Sequence, residues 1–419
     1  MHDILPAEQP YFRKIYNAVE KMADFYNFGK IDTPVLEDAE LFARGVGGAT
    51  DIVQKEMFSL KTKGGNALAL RPEWTAPVVR SYIENGMHNQ PQPLKLWYFG
   101  PCFRYEHPQA GRYRQFWQFG FEVLGEESPV IDAQLIQAFY QVLKQLGMKD
   151  LVVEINSIGD GQCRPYYKKL LSNYFKSKES SLCANCKRRL KENVLRILDC
   201  DEEKCQPIIA GAPQTLDHLC DPCSSHLKRT LEFLDELEIP YSLNPHLVRG
   251  LDYYTRTVFE IYTKKPDKEG VSRLALGGGG RYDGLVRLLG GKETPACGWA
   301  AGIERIVSLM KEQNKDLSTK SAPDVFIAQL GDLAKRKALR LLEEFRKANI
   351  KAEETLGRDS LKAQLNRADR IGAKYTLIIG QREALDETVL VKDMQNGKQQ
   401  IVKIDKVSEK LKKKKKKKK

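Results

Sequence analysis

No run of about 18 consecutive apolar residues occurs in this chain of 419 residues, so nothing in it reads as a membrane-spanning helix. Its start, Met1-His2-Asp3-Ile4-Leu5-Pro6, lacks the basic segment followed by an apolar one that marks a secretory signal. Histidine is scarce, with six in all, and none is set with serine and aspartate as a hydrolytic triad requires. No thiol stands out as a nucleophile, and no glycine-rich loop ends in a Walker lysine. Hydrophobic residues are 42% and charged residues 29%, which excludes a disordered, collagen-like or disulfide-framework chain. At about 150 residues per domain, two or three domains are expected. Without a secretory signal, the nine cysteines read as reduced thiols or metal ligands in a cytoplasmic setting.

The net charge of +13 overstates the basic character, because removing the eight consecutive lysines 412–419 leaves +5. Like charges with nothing apolar to bury predict an unfolded tail over 406–419. Such a tail suits either non-specific contact with a polyanion or plain solvation. The remaining +5 does not by itself point to nucleic acid.

Apolar residues Ile15, Val19, Met22 and Tyr26 recur at helical spacing, predicting a helix over 10–28 that Gly29 stops. Short strands are predicted at 58–60 and 67–70, and longer ones at 94–104 and 113–124. Pro129 at a first helical position predicts a helix over 129–146, and 151–155 reads as a buried strand. Residues 160–240 change character to lysine-rich helical patterns and read as a helical insertion. Sheet character resumes at 247–262 and 273–276, and 296–310 reads as a helix opening on small residues. After a linker at 317–322, strands and helices alternate in the order 325–329, 333–348, 351–355, 360–370 and 375–379. Strands at 388–393 and 399–404 follow, completing a small α/β domain over 322–405.

Four stretches carry the chemistry. In a strand over 113–124, Trp117, Phe119, Phe121 and Val123 share one face, while Gln118, Gly120 and Glu122 share the other. An amide and a carboxylate separated by a glycine suit either the floor of a polar pocket or a solvated sheet face. Arg104, Arg112 and Arg114 flank the preceding hairpin loop, and guanidinium groups can chelate phosphate oxygens in pairs, which favours the pocket. Leu247-Val248-Arg249-Gly250-Leu251-Asp252-Tyr253-Tyr254 sets an arginine and two phenols beside a glycine. Leu276-Gly277-Gly278-Gly279-Gly280-Arg281 puts four glycines after a predicted strand, where backbone can approach a ligand. Gly298-Trp299-Ala300-Ala301-Gly302-Ile303-Glu304-Arg305 is the fourth.

These stretches resemble the histidyl-tRNA synthetases, a family of class II aminoacyl-tRNA synthetases. Thr50-Asp51-Ile52-Val53, Glu56-Met57-Phe58 and Leu70-Arg71-Pro72-Glu73 resemble the family's first catalytic block. Residues 103–122 resemble class II motif 2, and 298–305 resemble motif 3. The blocks at 247–257 and 276–284 are peculiar to the histidine enzymes, and the likeness runs through nearly all of 1–405. It implies an α+β fold: an antiparallel sheet flanked by helices over 1–318, with the helical insertion, and a C-terminal α/β anticodon-binding domain. The implied reaction joins L-histidine to ATP with Mg²⁺, then transfers histidine to the 3′ end of tRNA(His), in a cytoplasmic homodimer.

Residue by residue, the likeness implies that Arg104 holds the ATP α-phosphate, Glu106 the adenine, Arg112 the γ-phosphate and Arg305 the triphosphate from its other side. Glu73 and Thr75 would hold the amino group of histidine. Gln118, Glu122, Tyr253 and Tyr254 would line the amino-acid and imidazole pocket, and Arg249 would be the catalytic arginine. Two residues depart from the family pattern here: Trp74 stands where glycine is usual, and Trp117 replaces a common histidine. His107-Pro108-Gln109 also lacks the arginine usual before Pro-Gln in the loop that meets tRNA. Non-catalytic paralogues that regulate a histidine-biosynthetic enzyme usually lose the Arg249–Asp252 block and the C-terminal domain, and both are present here. Cys183-x₂-Cys186 and Cys220-x₂-Cys223, with Cys200 and Cys205 between them, read either as a zinc set or as free thiols. The likeness implies no metal in the insertion.

Overall fold

The computed structural model describes residues 3–48, 50–106, 113–263, 275–313, 317, 322–357 and 360–416. The chain separates into two compact units, 1–318 and 319–419.

The first unit is built on an eight-stranded sheet. In chain order its strands are β1 (Gly29–Lys30), β2 (Leu94–Phe103), β3 (Gln115–Leu124), β4 (Leu151–Ser157), β5 (Tyr241–Leu243), β6 (Thr255–Thr263), β7 (Gly277–Arg281) and β8 (Ala296–Gly302). They lie in the order β1-β2-β3-β8-β7-β6-β4-β5. The six middle strands run antiparallel, and a parallel strand closes each edge.

Alternation along the middle strands decides which face is core. Phe119, Phe121, Val123, Phe259, Ile261 and Trp299 point to one side and bury against the helices Gln9–Phe25, Pro129–Gln145, Asp221–Glu236 and Ile303–Glu312. Trp299 is sandwiched there, its ring 5.0 Å from that of Phe121 and 4.3 Å from that of Phe139. The opposite face carries Tyr98, Gln118, Gly120, Glu122 and Glu260. Residues 160–240 form the expected helical insertion, with the helices Arg164–Lys176, Ala184–Glu192 and Gln206–Ala210 and then Asp221–Glu236.

Four sequence expectations need correction in this unit. The four glycines do not follow a strand but make one, pairing with β6 and β8. Lateral pairing overrides the poor intrinsic strand propensity of glycine. Residues 296–302 are likewise a strand, and the helix begins only at Ile303. Their small side chains let β8 fit between β3 and β7, with Trp299 anchoring it. The first helix ends at Phe25, before the expected position, because Asn27 takes φ 59° and Phe28 turns back to pack on Phe121. Of the strand expected at 247–262, only the part from Thr255 is paired. Of the strand expected at 273–276, Ala275 and Leu276 are not in a strand and 273–274 lie outside the described residues.

The second unit holds a five-stranded sheet in the order Ala352–Glu354, Val325–Gln329, Tyr375–Ile379, Thr388–Asp393, Gln399–Lys403. The first three strands are parallel and the last two antiparallel to their neighbours. Val325 and Ile327 bury against Leu341 and Phe345 of one helix, while Phe326 and Ala328 pack with Ala368 of another. The tail differs from expectation. A helix runs from Ile404 through Lys416, held by buried Val407 and Leu411 one turn apart. Ile404, Val407 and Leu411 dock the helix on the core of this unit, and lysines, good helix formers, continue it.

The Trp299 sandwich is central to the larger core. Trp299→Ala is expected to lower unfolding free energy by about 3–5 kcal/mol, as read by urea denaturation followed through circular dichroism.

Candidate active site

The polar face of the sheet becomes a trough through one row of small residues. Across the strands, Tyr98 pairs with Gly120, Gly120 with Ala300, Ala300 with Gly278, and Gly278 with Glu260. Large side chains thus stand at both edges and almost nothing stands between them. Above this floor lies a cavity of about 570 Å³. Arg104, Glu106, Gln118, Arg249, Tyr253, Tyr254 and Arg305 line it, together with Glu73 and Thr75. Arg112 and the His107 segment fall outside the described residues.

Glu122 was expected to line the pocket, but the structure places it beneath the wall. It is completely buried and accepts hydrogen bonds from the hydroxyls of Thr75 at 2.8 Å, Tyr98 at 3.1 Å and Tyr282 at 2.6 Å. Two glycines make this possible. A Cβ on Gly298 would lie 1.5 Å from Glu122 Oε2, and one on Gly120 would lie 2.4 Å from the Tyr98 oxygen. Burial pushes the Glu122 carboxyl up to about 8, against which the three hydroxyl donors act.

Glu73 sits just ahead of the helix Thr75–Glu84. Its carboxylate accepts the backbone N–H of Thr75 at 2.7 Å and of Ala76 at 2.8 Å, and the Tyr253 hydroxyl at 3.3 Å. Burial raises its pKa, and those amides and nearby Arg104 oppose the rise. Tyr253 and Tyr254 lie with rings 4.7 Å apart. Together these groups form a wall of carboxylate and phenol oxygens suited to an amino group and a neutral imidazole.

The arginines come from three distant parts of the chain. Arg104 follows β2 and donates Nε to Pro72 O at 2.9 Å, with Glu106 3.9 Å away. Arg305 lies in the first turn after β8 and donates to Ala275 O at 2.8 Å. Arg249 pairs with Glu260 across the trough and lies over the Tyr254 ring at 5.8 Å. Gln118 accepts the Cys102 thiol at 3.3 Å.

Several residues of the site were not picked out from sequence. Tyr98 and Tyr282 hold Glu122, and Glu260 orients Arg249. Glu304 accepts the backbone N–H of Trp117 at 2.9 Å, and burial lifts its carboxyl to about 7. Tyr98 shares the phase of Gly100 and Cys102 along β2, so alternation alone could have found it. Trp74 is accommodated without opening the site. Its indole stacks on Tyr98 at 4.7 Å under the Arg71 guanidinium at 3.5 Å. Gly100 supplies the space, since a Cβ there would lie 2.6 Å from the indole. Trp117 packs edge-on against Phe12 at 6.0 Å.

An open antiparallel sheet whose polar face carries convergent arginines is the architecture of a class II aminoacyl-tRNA synthetase. The family model Histidyl-tRNA synthetase matches residues 1–306, and the model Anticodon binding domain matches 324–414. The chain is 44% identical to the histidine–tRNA ligase of Dehalococcoides mccartyi over 98% of this chain and 97% of that one. It is also 44% identical to the histidine–tRNA ligase of Pelotomaculum thermopropionicum, over 98% and 96%. The crystal structure of apo histidyl-tRNA synthetase from S. aureus superposes with a TM-score of 0.81 at 37% identity, over 98% of each chain. The chain belongs to the histidyl-tRNA synthetase family.

The raised Glu122 pKa has a pH signature. A carboxyl raised in the folded state favours folding at low pH, and that contribution is lost as pH rises from its ordinary 4.5 through about 8. The stability of Glu122→Gln relative to the parent should therefore increase across that window and level off above it. Urea midpoints measured at several pH values read this directly.

Proposed function

We propose that the protein activates L-histidine with ATP and transfers it to tRNA(His). The observation that carries this reading is the meeting of Arg104, Arg249 and Arg305 in one cavity with Glu73, Tyr253 and Tyr254. The histidine carboxylate is already an anion and needs no general base. Its oxygen attacks the α-phosphorus, and pyrophosphate leaves from the opposite side. Charge developing on the phosphoryl oxygens is met by preplaced guanidinium groups, which need little reorganisation because neighbouring carbonyls and Glu260 already hold them. Arg249 is the catalytic arginine in this reading. Arg104, Arg112 and Arg305 bind the triphosphate, and Glu106 the adenine. Glu73 and Thr75 hold the amino group, while Gln118, Tyr253 and Tyr254 face the imidazole. Glu122 acts beneath them as a positioning residue, fixing the hydroxyls of Thr75 and Tyr98.

Specificity follows from buried polar groups. A side chain that cannot hydrogen-bond would leave the Gln118 amide and the tyrosine hydroxyls without the imidazole as a partner, a larger penalty than any lost apolar contact. In the second step the 3′ ribose hydroxyl of tRNA attacks the acyl carbon of the adenylate and AMP leaves. The C-terminal unit reads the anticodon.

Mg²⁺ belongs to the substrate in this reading. Among the described residues, the side chains gathered closely enough to hold a metal are cysteine-centred, and none lines the cavity. Backbone amides already engage Glu73 and Glu304. In this reading the ion arrives bound to the triphosphate. Kinship with the family further supports a cytoplasmic homodimer.

ATP–pyrophosphate exchange against a panel of amino acids tests the reading. Exchange is expected with histidine alone, and none with any amino acid in folded protein would favour a regulatory role. Arg249→Ala should lower the exchange kcat by about 10²–10³-fold while moving the KM for histidine far less.

A further inference from the structure

We propose that the insertion holds two structural zinc ions, one on Cys183, Cys186, Cys200 and Cys205 and the other on Asp160, Cys163, Cys220 and Cys223. In each group the four ligand atoms lie within 4.8 Å of one another. The two C-x₂-C pairs thus do not meet each other, as their order in the chain invites, and each finds its partners elsewhere.

The spacing fits a single ion. Four bonds of about 2.3 Å in a tetrahedron set the sulfurs about 3.8 Å apart. Cys183 Sγ and Cys200 Sγ are 3.8 Å apart, and none of the nine cysteines is in a disulfide. In the second group Asp160 Oδ1 lies 3.8 Å from both Cys163 Sγ and Cys220 Sγ.

The surroundings favour thiolates over packed thiols. The backbone N–H of Cys186 points at Cys183 Sγ at 3.3 Å, and that of Cys183 at Cys205 Sγ at 3.4 Å. Three ligand pairs, each with two residues between its members, sit at helix starts: Asp160 and Cys163 before Arg164–Lys176, Cys183 and Cys186 at Ala184–Glu192, Cys220 and Cys223 at Asp221–Glu236. Helix N-termini stabilise anionic sulfur. Apolar packing would need neither the amides nor the repeated placement. Arg256 stands 3.5 Å from the outer oxygen of Asp160 and offsets the charge of the second set.

A thiolate-rich tetrahedral set selects zinc or an iron–sulfur cluster. A four-iron cluster spreads its thiolates wider than one ion does, so the close spacing assigns a single ion. Four protein ligands leave no open position, which makes both sites structural. Each braces the cavity wall. Arg189 and Asp199, beside the first group, line the cavity, and Arg164, next to Cys163, donates to Tyr254 O at 2.6 Å.

Elemental analysis of the full chain, purified without chelator from zinc-sufficient cells, tests the proposal. About two zinc ions per chain are expected, with Cys186→Ser and Cys223→Ser each losing one. Less than about a quarter equivalent, iron with sulfide, or two ions retained in both variants would overturn it. One equivalent, lost in Cys186→Ser and kept in Cys223→Ser, would overturn the Asp160 site alone. Should either variant fail to fold, mercurial titration of the unmodified protein with a colorimetric zinc indicator decides. Release of about two ions as the thiols react supports the sites, and no release overturns them.

Discussion

A carboxyl group with no exposure to water cannot remain in a protein without partners, and the middle of this sheet is arranged to provide them for Glu122. Three hydroxyls reach it from the helix after Glu73, from β2 and from the residue following β7. The absence of side chains at Gly120 and Gly298 leaves it room. Each partner is thereby fixed in turn. Thr75 is held at the helix start that also presents amides to Glu73, and Tyr98 becomes the platform on which Trp74 stacks. Three hydrogen bonds of the polar face thus converge on this one group.

Period-2 alternation was the strongest signal in the sequence. It separated Phe119 and Phe121 from Gln118 and Glu122 correctly, since a buried middle strand has little freedom to slip register. It also exposed a limit. Facing the polar side does not say whether a carboxylate meets ligand or protein, and Glu122 meets protein. Local propensity failed where pairing decided. Gly277–Gly280 and Ala296–Gly302 have the composition of a turn and a helix start, yet both are strands because neighbours on each side satisfy their backbone groups. The tail failed for the opposite reason, as its eight lysines hid the apolar pair Val407 and Leu411 that packs the helix on the core.

The cysteines show why spacing along a chain is weak evidence for spacing in a fold. The two C-x₂-C motifs are 33 residues apart and look like halves of one site. Helix packing instead brings Cys183 and Cys186 to Cys200 and Cys205, and Cys220 and Cys223 to Asp160 and Cys163. An aspartate three residues before a cysteine carries almost no signal alone, so Asp160 could not have been found from sequence. The mates of Arg249 and Glu73 were equally hidden, because Glu260 and Tyr253 reach them through tertiary contact.

The stack of Arg71, Trp74 and Tyr98 has an evolutionary consequence. The indole occupies volume that any residue larger than glycine at position 100 would claim. Neither position can change freely by itself: a bulkier residue at 100 meets the ring, and a smaller one at 74 strands the guanidinium and phenol around a void. Substitutions at the two positions are therefore coupled through one shared volume.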